Sequence, residues 1–139
     1  MKKNRLNKKF VYLISPNKIK ENLFYYDLEE VLKTGKVKYF QMRFKKKNLK
    51  RKIFIGKKIK KICKKYNVNF LVNDDPWLAR RLESDGCHLG QKDMNIIEAR
   101  KILKNKIIGI TCHNSLRLAK IALKNNADYL AFGAFNCTK

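Results

Sequence analysis

The sequence contains no glycine-rich phosphate loop, no C-x-x-C pair and no long uncharged apolar run. The first absence argues against the open nucleotide-binding sheets, which hold phosphate in such loops. The four cysteines are well separated, and most lie in apolar surroundings typical of reduced, buried thiols. The apolar run at residues 10–14 is too short for a signal-peptide core or a membrane span. We therefore expect a cytoplasmic location and no contact with a membrane.

Acidic residues are scarce, with 11 Asp and Glu against 34 Lys and Arg, which gives a formal charge of +23. Such a charge attracts polyanions. The lysines, however, are spread through nearly every predicted helix and accompany no nucleic-acid-binding motif, so we expect no specific nucleic-acid partner. The dense basic segment 45–52 has two interpretations: a solvated surface, as most charge runs are, or an anion-binding site.

Short apolar runs alternate with helical segments along the chain. The 139 residues, 45% of them hydrophobic, suffice for one domain with a core. Strands are predicted at 10–14, 37–42, 68–72, 86–89, 107–110 and 129–132, and helices at 28–33, 49–66, 76–82, 96–103 and 115–124. This alternation predicts a parallel sheet covered by helices, either an open doubly wound sheet or the early part of an eight-fold barrel.

Two aspartates follow neighbouring predicted strands. Asp74 follows the third strand and Asp93 the fourth, and in either architecture the carboxyl ends of the strands meet where ligands bind. Two carboxylates there suit a shared divalent cation. In the alternative interpretation, Asp74 belongs to a turn that caps the third helix. His88, a single histidine among apolar residues, is more typical of a structural group than of a ligand.

The second predicted strand is followed by an amide and two cations, Gln41, Arg43 and Lys45. Beside a metal, these side chains imply a polyanionic ligand such as pyrophosphate. Along an extended chain the three alternate in direction, so they converge only if the strand ends near residue 42. We favour Gln41 and Lys45 over Arg43.

Taken in order, these motifs resemble thiamine phosphate synthase and its TenI-like relatives, a family of (β/α)₈ barrels. The motifs are Gln41-x-Arg43-x-Lys45, Asn73-Asp74, the Asp-Gly-Cys-His-Leu-Gly-Gln-x-Asp run at 85–93, Gly-Ile-Thr-Cys-His at 109–113 and Ala-Asp-Tyr-Leu-Ala-Phe-Gly at 127–133. Each motif is weak alone, whereas five in order are specific. The resemblance implies an α/β fold of the TIM-barrel type, with about six units in a domain at 10–139 and a basic tail at 1–9.

The resemblance also implies an activity: Mg²⁺-dependent condensation of hydroxymethylpyrimidine pyrophosphate with thiazole phosphate, which releases pyrophosphate in thiamine biosynthesis. Asp74 and Asp93 would be the metal ligands. The substrate-binding residues would be Gln41, Arg43, Lys45, Asn73, Thr111, Thr138 and Lys139. Catalysis would consist of charge neutralisation and positioning, with no protein nucleophile or base.

Two alternatives accompany this reading. A TenI-like thiazole tautomerase would use His113 for proton transfer, and a non-catalytic remnant would bind pyrophosphate without turnover. We favour the synthase because a tautomerase has no need of Asp74, Asp93 and Lys45 together.

The sequence stops directly after the sixth predicted strand, whereas an eight-fold barrel takes roughly 200 residues or more. We expect the barrel to be incomplete at its C-terminal end, with open edges that predict self-association or completion by another chain. Two registers fit the last residues. Either Thr138 and Lys139 are the family's pyrophosphate-contacting pair, or Thr138 matches an earlier threonine; we favour the second.

Overall fold

Six parallel strands alternate with five helices in the part of the chain that the computed structural model describes, residues 9–45 and 48–135. The elements are β1 (Val11–Ile14), α1 (Glu21–Lys33), β2 (Val37–Met42), α2 (Leu49–Lys65), β3 (Asn69–Asn73), α3 (Pro76–Arg81), β4 (Gly86–Leu89), α4 (Ile96–Leu103), β5 (Ile107–His113), α5 (Leu116–Lys124) and β6 (Tyr129–Phe132). The strand order in the sheet follows the chain, from β1 to β6. The predicted alternation and parallel sheet are confirmed. The predictions for residues 1–8, Thr138 and Lys139 lie outside the described residues.

The hydrophobic core joins one face of the sheet to the helices. On the strands it contains buried residues such as Phe40, Phe70 and Ile108, and on α2 it contains Ile55 and Ile59. Apolar side chains on short strands connected by helices are the pattern that buries a parallel sheet. The sheet and the helices therefore form two packed layers.

The other face of the sheet carries aromatic residues that meet across its interior. The Tyr12 ring of β1 lies with its centroid 5.6 Å from the Tyr129 ring of β6, and the two hydroxyl oxygens are 2.6 Å apart. β1 and β6 stand at opposite ends of the strand order. The sheet must therefore curve strongly, as in a (β/α)₈ barrel, and the fold predicted from sequence is confirmed.

The edge strands carry exposed apolar side chains. Within the described residues, β1 and β6 each pair with a single strand. Phe10, Val11, Ile14, Phe132 and Phe135 are all exposed, Phe135 with 72% of its surface accessible. Exposed apolar side chains at an unpaired edge favour pairing with further chain. Self-association and completion by another chain both stay predictions.

The first helix is longer than predicted, because it begins at Glu21 rather than at residue 28. Its N-cap, Lys20, makes no side-chain capping bond, so the sequence contains no start signal there. The added turns are held by packing, since Phe24 and Tyr25 lie against the core. Helix formation here depends on tertiary contacts more than on local signals.

The fifth strand also extends beyond its prediction, from residue 110 to His113. After an irregularity in the ladder, His113 pairs with Phe132 of β6. Thr111 and His113, which are polar, hid this extension from a pattern based on apolar runs.

Helix starts elsewhere agree with capping chemistry. Asn48, Asp75, Asn95 and Ser115 each accept a hydrogen bond from a main-chain N–H three residues later. Ser115 is therefore the N-cap predicted from sequence, and its helix begins at Leu116.

Two aspartates link neighbouring strands in the same way. Asp85, just before β4, accepts a 2.7 Å hydrogen bond from the main-chain N–H of Phe70 in β3. Asp128, just before β6, accepts one of 2.7 Å from Ile108 in β5. The same hydrogen bond from a strand to the aspartate before the next strand thus occurs in two β/α units, at β4 and at β6.

Three cysteines of the described residues, Cys63, Cys87 and Cys112, are buried and unpaired, as predicted. Burial raises the pKa of the Cys63 thiol to about 12, so this thiol is unreactive at neutral pH. Across the described residues, no helix has both the length and the apolar character needed to cross a membrane.

Gly86 provides a test of how tightly β4 is seated. A Cβ atom at this position would lie 2.0 Å from the carbonyl oxygen of Ile107, a main-chain atom that cannot move aside. We expect Gly86→Ala to lower the free energy of unfolding by about 3 kcal/mol, as measured by urea denaturation.

Gly56→Ala is the matched control for this experiment. There the nearest contact, at 2.6 Å, is the end of the Leu82 side chain, which can rotate. Gly56 also lies inside α2, where alanine is the better helix former. We therefore expect Gly56→Ala to lose less stability than Gly86→Ala. Equal losses in the two variants would contradict the assigned packing of β4.

Candidate active site

A cleft of about 600 Å³ opens at the carboxyl ends of the strands. The predicted site residues that line it are Gln41, Arg43, Lys45, Asn73, Asp74, Asp93, Thr111 and His113. They come from β2, β3, β5 and the segments that follow the strands, so the topology brings together residues far apart in sequence. Their roles stay predictions.

The turn after β3 separates a capping aspartate from one that faces the cleft. Asp75 caps α3, because its Oδ1 accepts a 2.9 Å hydrogen bond from the Leu78 N–H. Asp74 adopts a left-handed conformation, with φ of 65°, and its N–H donates to the carbonyl of His88 at 2.8 Å. The turn therefore does cap α3, as the alternative interpretation has it, but the capping side chain is that of Asp75, whereas Asp74 lines the cleft.

The carboxyl groups of Asp74 and Asp93 lie within hydrogen-bond reach of each other. The pKa of Asp74 is raised, first by burial and then by the neighbouring Asp93, while nearby Lys45 opposes the rise. Asp93 is held in place because its Oδ2 accepts a 2.7 Å hydrogen bond from the Gly90 N–H. Two carboxylates in contact repel each other unless a proton or a cation lies between them.

Asp74 and Asp93 are the two residues that the sequence predicts as metal ligands, and together they would offer two carboxylates to a metal ion. Among the described residues, no cluster of three or more His, Cys, Asp or Glu side chains is arranged to hold a metal ion. Mg²⁺ is commonly held by one or two carboxylates, with water and substrate phosphates completing its shell. The donor set therefore fits Mg²⁺ bound together with a phosphorylated ligand.

The end of β2 allows three residues to reach the cleft. The strand ends at Met42, and the Arg43 N–H donates to the hydroxyl of Ser15 at 2.8 Å. Gln41 is buried and Lys45 exposed, yet both line the cleft, as does Arg43. The condition set by the sequence, that the strand end near residue 42, is met.

A hydrogen-bond chain missed by the sequence analysis crosses the floor of the cleft. The Gln41 Nε2 donates to the Tyr12 hydroxyl at 2.7 Å, and the Tyr12 and Tyr129 hydroxyls are 2.6 Å apart. The Tyr129 hydroxyl is 2.7 Å from His88 Nδ1, and His88 Nε2 is 2.8 Å from the Thr111 hydroxyl. We call these five residues the polar chain. Tyrosines on strands that face an interior need a partner for their hydroxyls, which was the available sequence signal.

The rings of the polar chain are uncharged at neutral pH. Burial lowers the pKa of His88 to about 4, so its imidazole is neutral. Burial also raises the pKa values of Tyr12 and Tyr129, so both phenols keep their protons. His88 thus lies inside a satisfied network, in line with the structural interpretation of its sequence context.

The loop after β4 adds residues that sequence reasoning did not select. Gln91 donates through Nε2 to the carbonyl of Thr111 at 2.5 Å, and Lys92 adds a cation to the cleft. Ile14 and Phe132 add apolar walls. Lys92 was hidden by the abundance of lysine elsewhere in the chain.

Comparison with known proteins identifies the family. The family model for thiamine monophosphate synthase matches residues 11–139. The chain belongs to the thiamine monophosphate synthase family. The family assignment made from the five motifs is confirmed.

Relatives within the thiamine monophosphate synthase family share much of this sequence. The chain is 66% identical over 139 residues to the thiamine-phosphate synthase of Pelagibacter ubique (strain HTCC1062), covering 100% of this chain and 67% of that protein. It is 41% identical over 107 residues to the thiamine-phosphate synthase of Marinobacter nauticus, covering 76% of this chain and 48% of that protein.

A solved structure agrees with the family assignment. The thiamine phosphate pyrophosphorylase from Pyrococcus furiosus superposes with a TM-score of 0.81 at 34% identity, covering 92% of this chain and 61% of that one. The chain thus spans between about half and two thirds of the length of these relatives.

The lowered pKa of His88 predicts a pH dependence of stability. The unfolded chain binds a proton at its ordinary pKa of 6.5, whereas the folded chain does so only near 4. Stability from this group is therefore complete above pH 6.5 and is lost as pH falls from 6.5 to 4, by at most about 3 kcal/mol. Denaturant unfolding measured at several pH values across this window tests it.

Matched histidine variants isolate the contribution of the buried ring. His88→Gln should flatten the pH dependence in that window, and His113→Gln should keep it because the buried imidazole is still present. An equal pH dependence in the two variants would show that His88 does not cause it.

Proposed function

We propose that the cleft binds hydroxymethylpyrimidine pyrophosphate together with Mg²⁺, as the first half-site of thiamine phosphate synthesis. The observation that carries the proposal is the contact between the Asp74 and Asp93 carboxyls in a cleft that Arg43 and Lys45 also line. Two carboxylates and two cations in one cleft match a metal-bound pyrophosphate better than they match any uncharged ligand. The similar solved structure is named a thiamine phosphate pyrophosphorylase, which supports a ligand that contains pyrophosphate.

In this proposal, Asp74 and Asp93 hold Mg²⁺, and Arg43, Lys45 and the Thr111 hydroxyl bind the pyrophosphate oxygens. Gln41 and Asn73 bind the pyrimidine. Bound Mg²⁺ would supply charge neutralisation for the leaving pyrophosphate.

The reaction would need little more from the protein than binding and orientation. The bond between the pyrimidine methylene carbon and the pyrophosphate oxygen breaks, and its electron pair leaves with pyrophosphate. The nitrogen of thiazole phosphate then forms a bond to that carbon. Cations placed where negative charge develops, and walls such as Ile14 and Phe132 that limit water, provide the rate enhancement.

The tautomerase alternative would assign the chemistry to His113. The His113 side chain is exposed at the cleft, and its backbone adopts a left-handed conformation with φ of 50°. The contact between Asp74 and Asp93 serves no purpose in a metal-independent proton transfer. We therefore place the synthase half-site first, and His113 serves as a control.

Calorimetric titration of the chain with hydroxymethylpyrimidine pyrophosphate tests the proposal. We expect binding that depends on Mg²⁺ and that weakens by about 100-fold or more in Asp74→Asn and in Asp93→Asn, because each change removes several kcal/mol of charge stabilisation. Asp75→Asn is the matched control, since it makes the same charge change one residue away and asparagine is an equally good helix cap.

Each other outcome favours a different function. Binding that is equal with and without Mg²⁺, or unchanged by Asp74→Asn, would refute the metal site. Thiazole tautomerase activity that is independent of Mg²⁺ and lost in His113→Ala would favour the alternative enzyme. Binding without turnover, in a protein completed to the length of its relatives, would favour a remnant.

A further inference from the structure

Three members of the polar chain, including both of its ends, line the cleft. These are Gln41, His88 and Thr111, whereas the half-buried Tyr12 and Tyr129 are held among aromatic rings. Tyr129 is closely seated, because a Cβ atom on Gly109 would lie 1.9 Å from its ring. The polar chain therefore connects two ligand-facing groups through residues that have little freedom to move.

Hydrogen-bond direction must be consistent along this connection. Each phenol and the neutral imidazole carry one proton to donate; a phenol oxygen also accepts, and the imidazole accepts at its other nitrogen. If Gln41 donates to Tyr12 and each phenol proton finds its acceptor within the polar chain, then Tyr12 donates to Tyr129, Tyr129 donates to His88 Nδ1, and His88 Nε2–H donates to Thr111. Reversing one link alone would leave two donors or two acceptors facing each other in a partly buried site, which is costly.

Only two arrangements satisfy every link and also leave neither phenol proton without an acceptor in the polar chain. In the first, Gln41 donates through Nε2 and the Thr111 hydroxyl proton is free for the cleft. In the second, Thr111 donates to His88, every link reverses, and Gln41 accepts through its carbonyl oxygen. The structure orients the Gln41 amide with Nε2 2.7 Å from the Tyr12 hydroxyl, which is the first arrangement.

We infer that the polar chain acts as a single polarity unit, which holds His88 as the Nε2–H tautomer and makes Thr111 a donor and Gln41 an acceptor toward the cleft. Tyr12, Tyr129 and His88 are then positioning residues. The ligand that matches carries an anionic oxygen at the Thr111 end and an N–H group at the Gln41 end. An aminopyrimidine pyrophosphate has both, so this part of the inference rests on the proposed function.

The tautomer of His88 tests the polarity directly and without ligand. The chain contains only two histidines, so long-range ¹H–¹⁵N correlation NMR, with a His113→Gln sample for assignment, reads each ring separately. We expect Nε2–H for His88 in the unliganded protein. The Nδ1–H tautomer would overturn the inference.

Gln41→Glu tests whether the polarity is transmitted. A carboxylate at position 41 can only accept from Tyr12, so every link should reverse and His88 should change to Nδ1–H. In Gln41→Glu combined with Tyr12→Phe the connection is cut, and the tautomer ratio should equal that of Tyr12→Phe alone. An unchanged His88 tautomer in folded Gln41→Glu would overturn the transmission.

Two milder variants keep the inference testable if Gln41→Glu does not fold. Tyr12→Phe removes one hydroxyl of the polar chain and should give a mixture of His88 tautomers. Tyr39→Phe is its matched control, because the Tyr39 ring stacks 5.8 Å from Tyr12 and its hydroxyl lies outside the polar chain. A single unchanged tautomer in Tyr12→Phe, or a mixture in Tyr39→Phe, would count against it.

Binding of inorganic pyrophosphate with Mg²⁺ tests the consequence for the ligand. Thr111→Val should weaken binding about tenfold, the cost of one hydrogen bond to a charged group. Tyr129→Phe should weaken it similarly, and should add little in the Thr111→Val background, because both changes remove the same donor. Full additivity would overturn the positioning role of Tyr129. If pyrophosphate does not bind but the tautomer changes in Gln41→Glu, the proposed function fails while the polarity unit stands.

Discussion

The contact between Tyr12 and Tyr129 is the constraint on which the rest of the site depends. It joins the first and last strands of the described sheet across its concave face, with the hydroxyls 2.6 Å apart. Only a strongly curved sheet allows this contact, and the curvature directs the carboxyl ends of all the strands toward one cleft. The aspartates after β3 and β4 and the cations after β2 can then act on a single ligand.

Neighbouring residues at the rim of this cleft have different structural roles. Asp75 caps a helix, whereas Asp74, one residue earlier, takes a left-handed conformation that an aspartate tolerates at modest cost. Ser15 similarly binds the main chain of Arg43 where β2 ends. Local polar contacts thus fix the backbone where β2 and β3 end, and so position the side chains that follow these strands.

Much of the fold was predictable because apolar strands and capped helices leave local signals. β2, β4, α4 and β6 have the predicted bounds, whereas α1 was predicted too short because packing, rather than a cap, forms its first turns. Most cleft residues were predictable from their positions just after the strands, because parallel strands end at one rim, and the resemblance to a family supplied their expected roles. The polar chain was not predicted, because Tyr12 and Tyr129 look like core residues until the curvature brings their hydroxyls together.

The exposed edges of the sheet have a consequence for the cleft itself. The two edge strands, β1 and β6, are the ones that carry Tyr12 and Tyr129. Any partner that pairs with these edges and spreads them must first break the hydroxyl contact and interrupt the polar chain. In the proposed polarity unit, spreading the sheet would therefore change which nitrogen of His88 carries the proton, and with it the donor that Thr111 presents to the cleft.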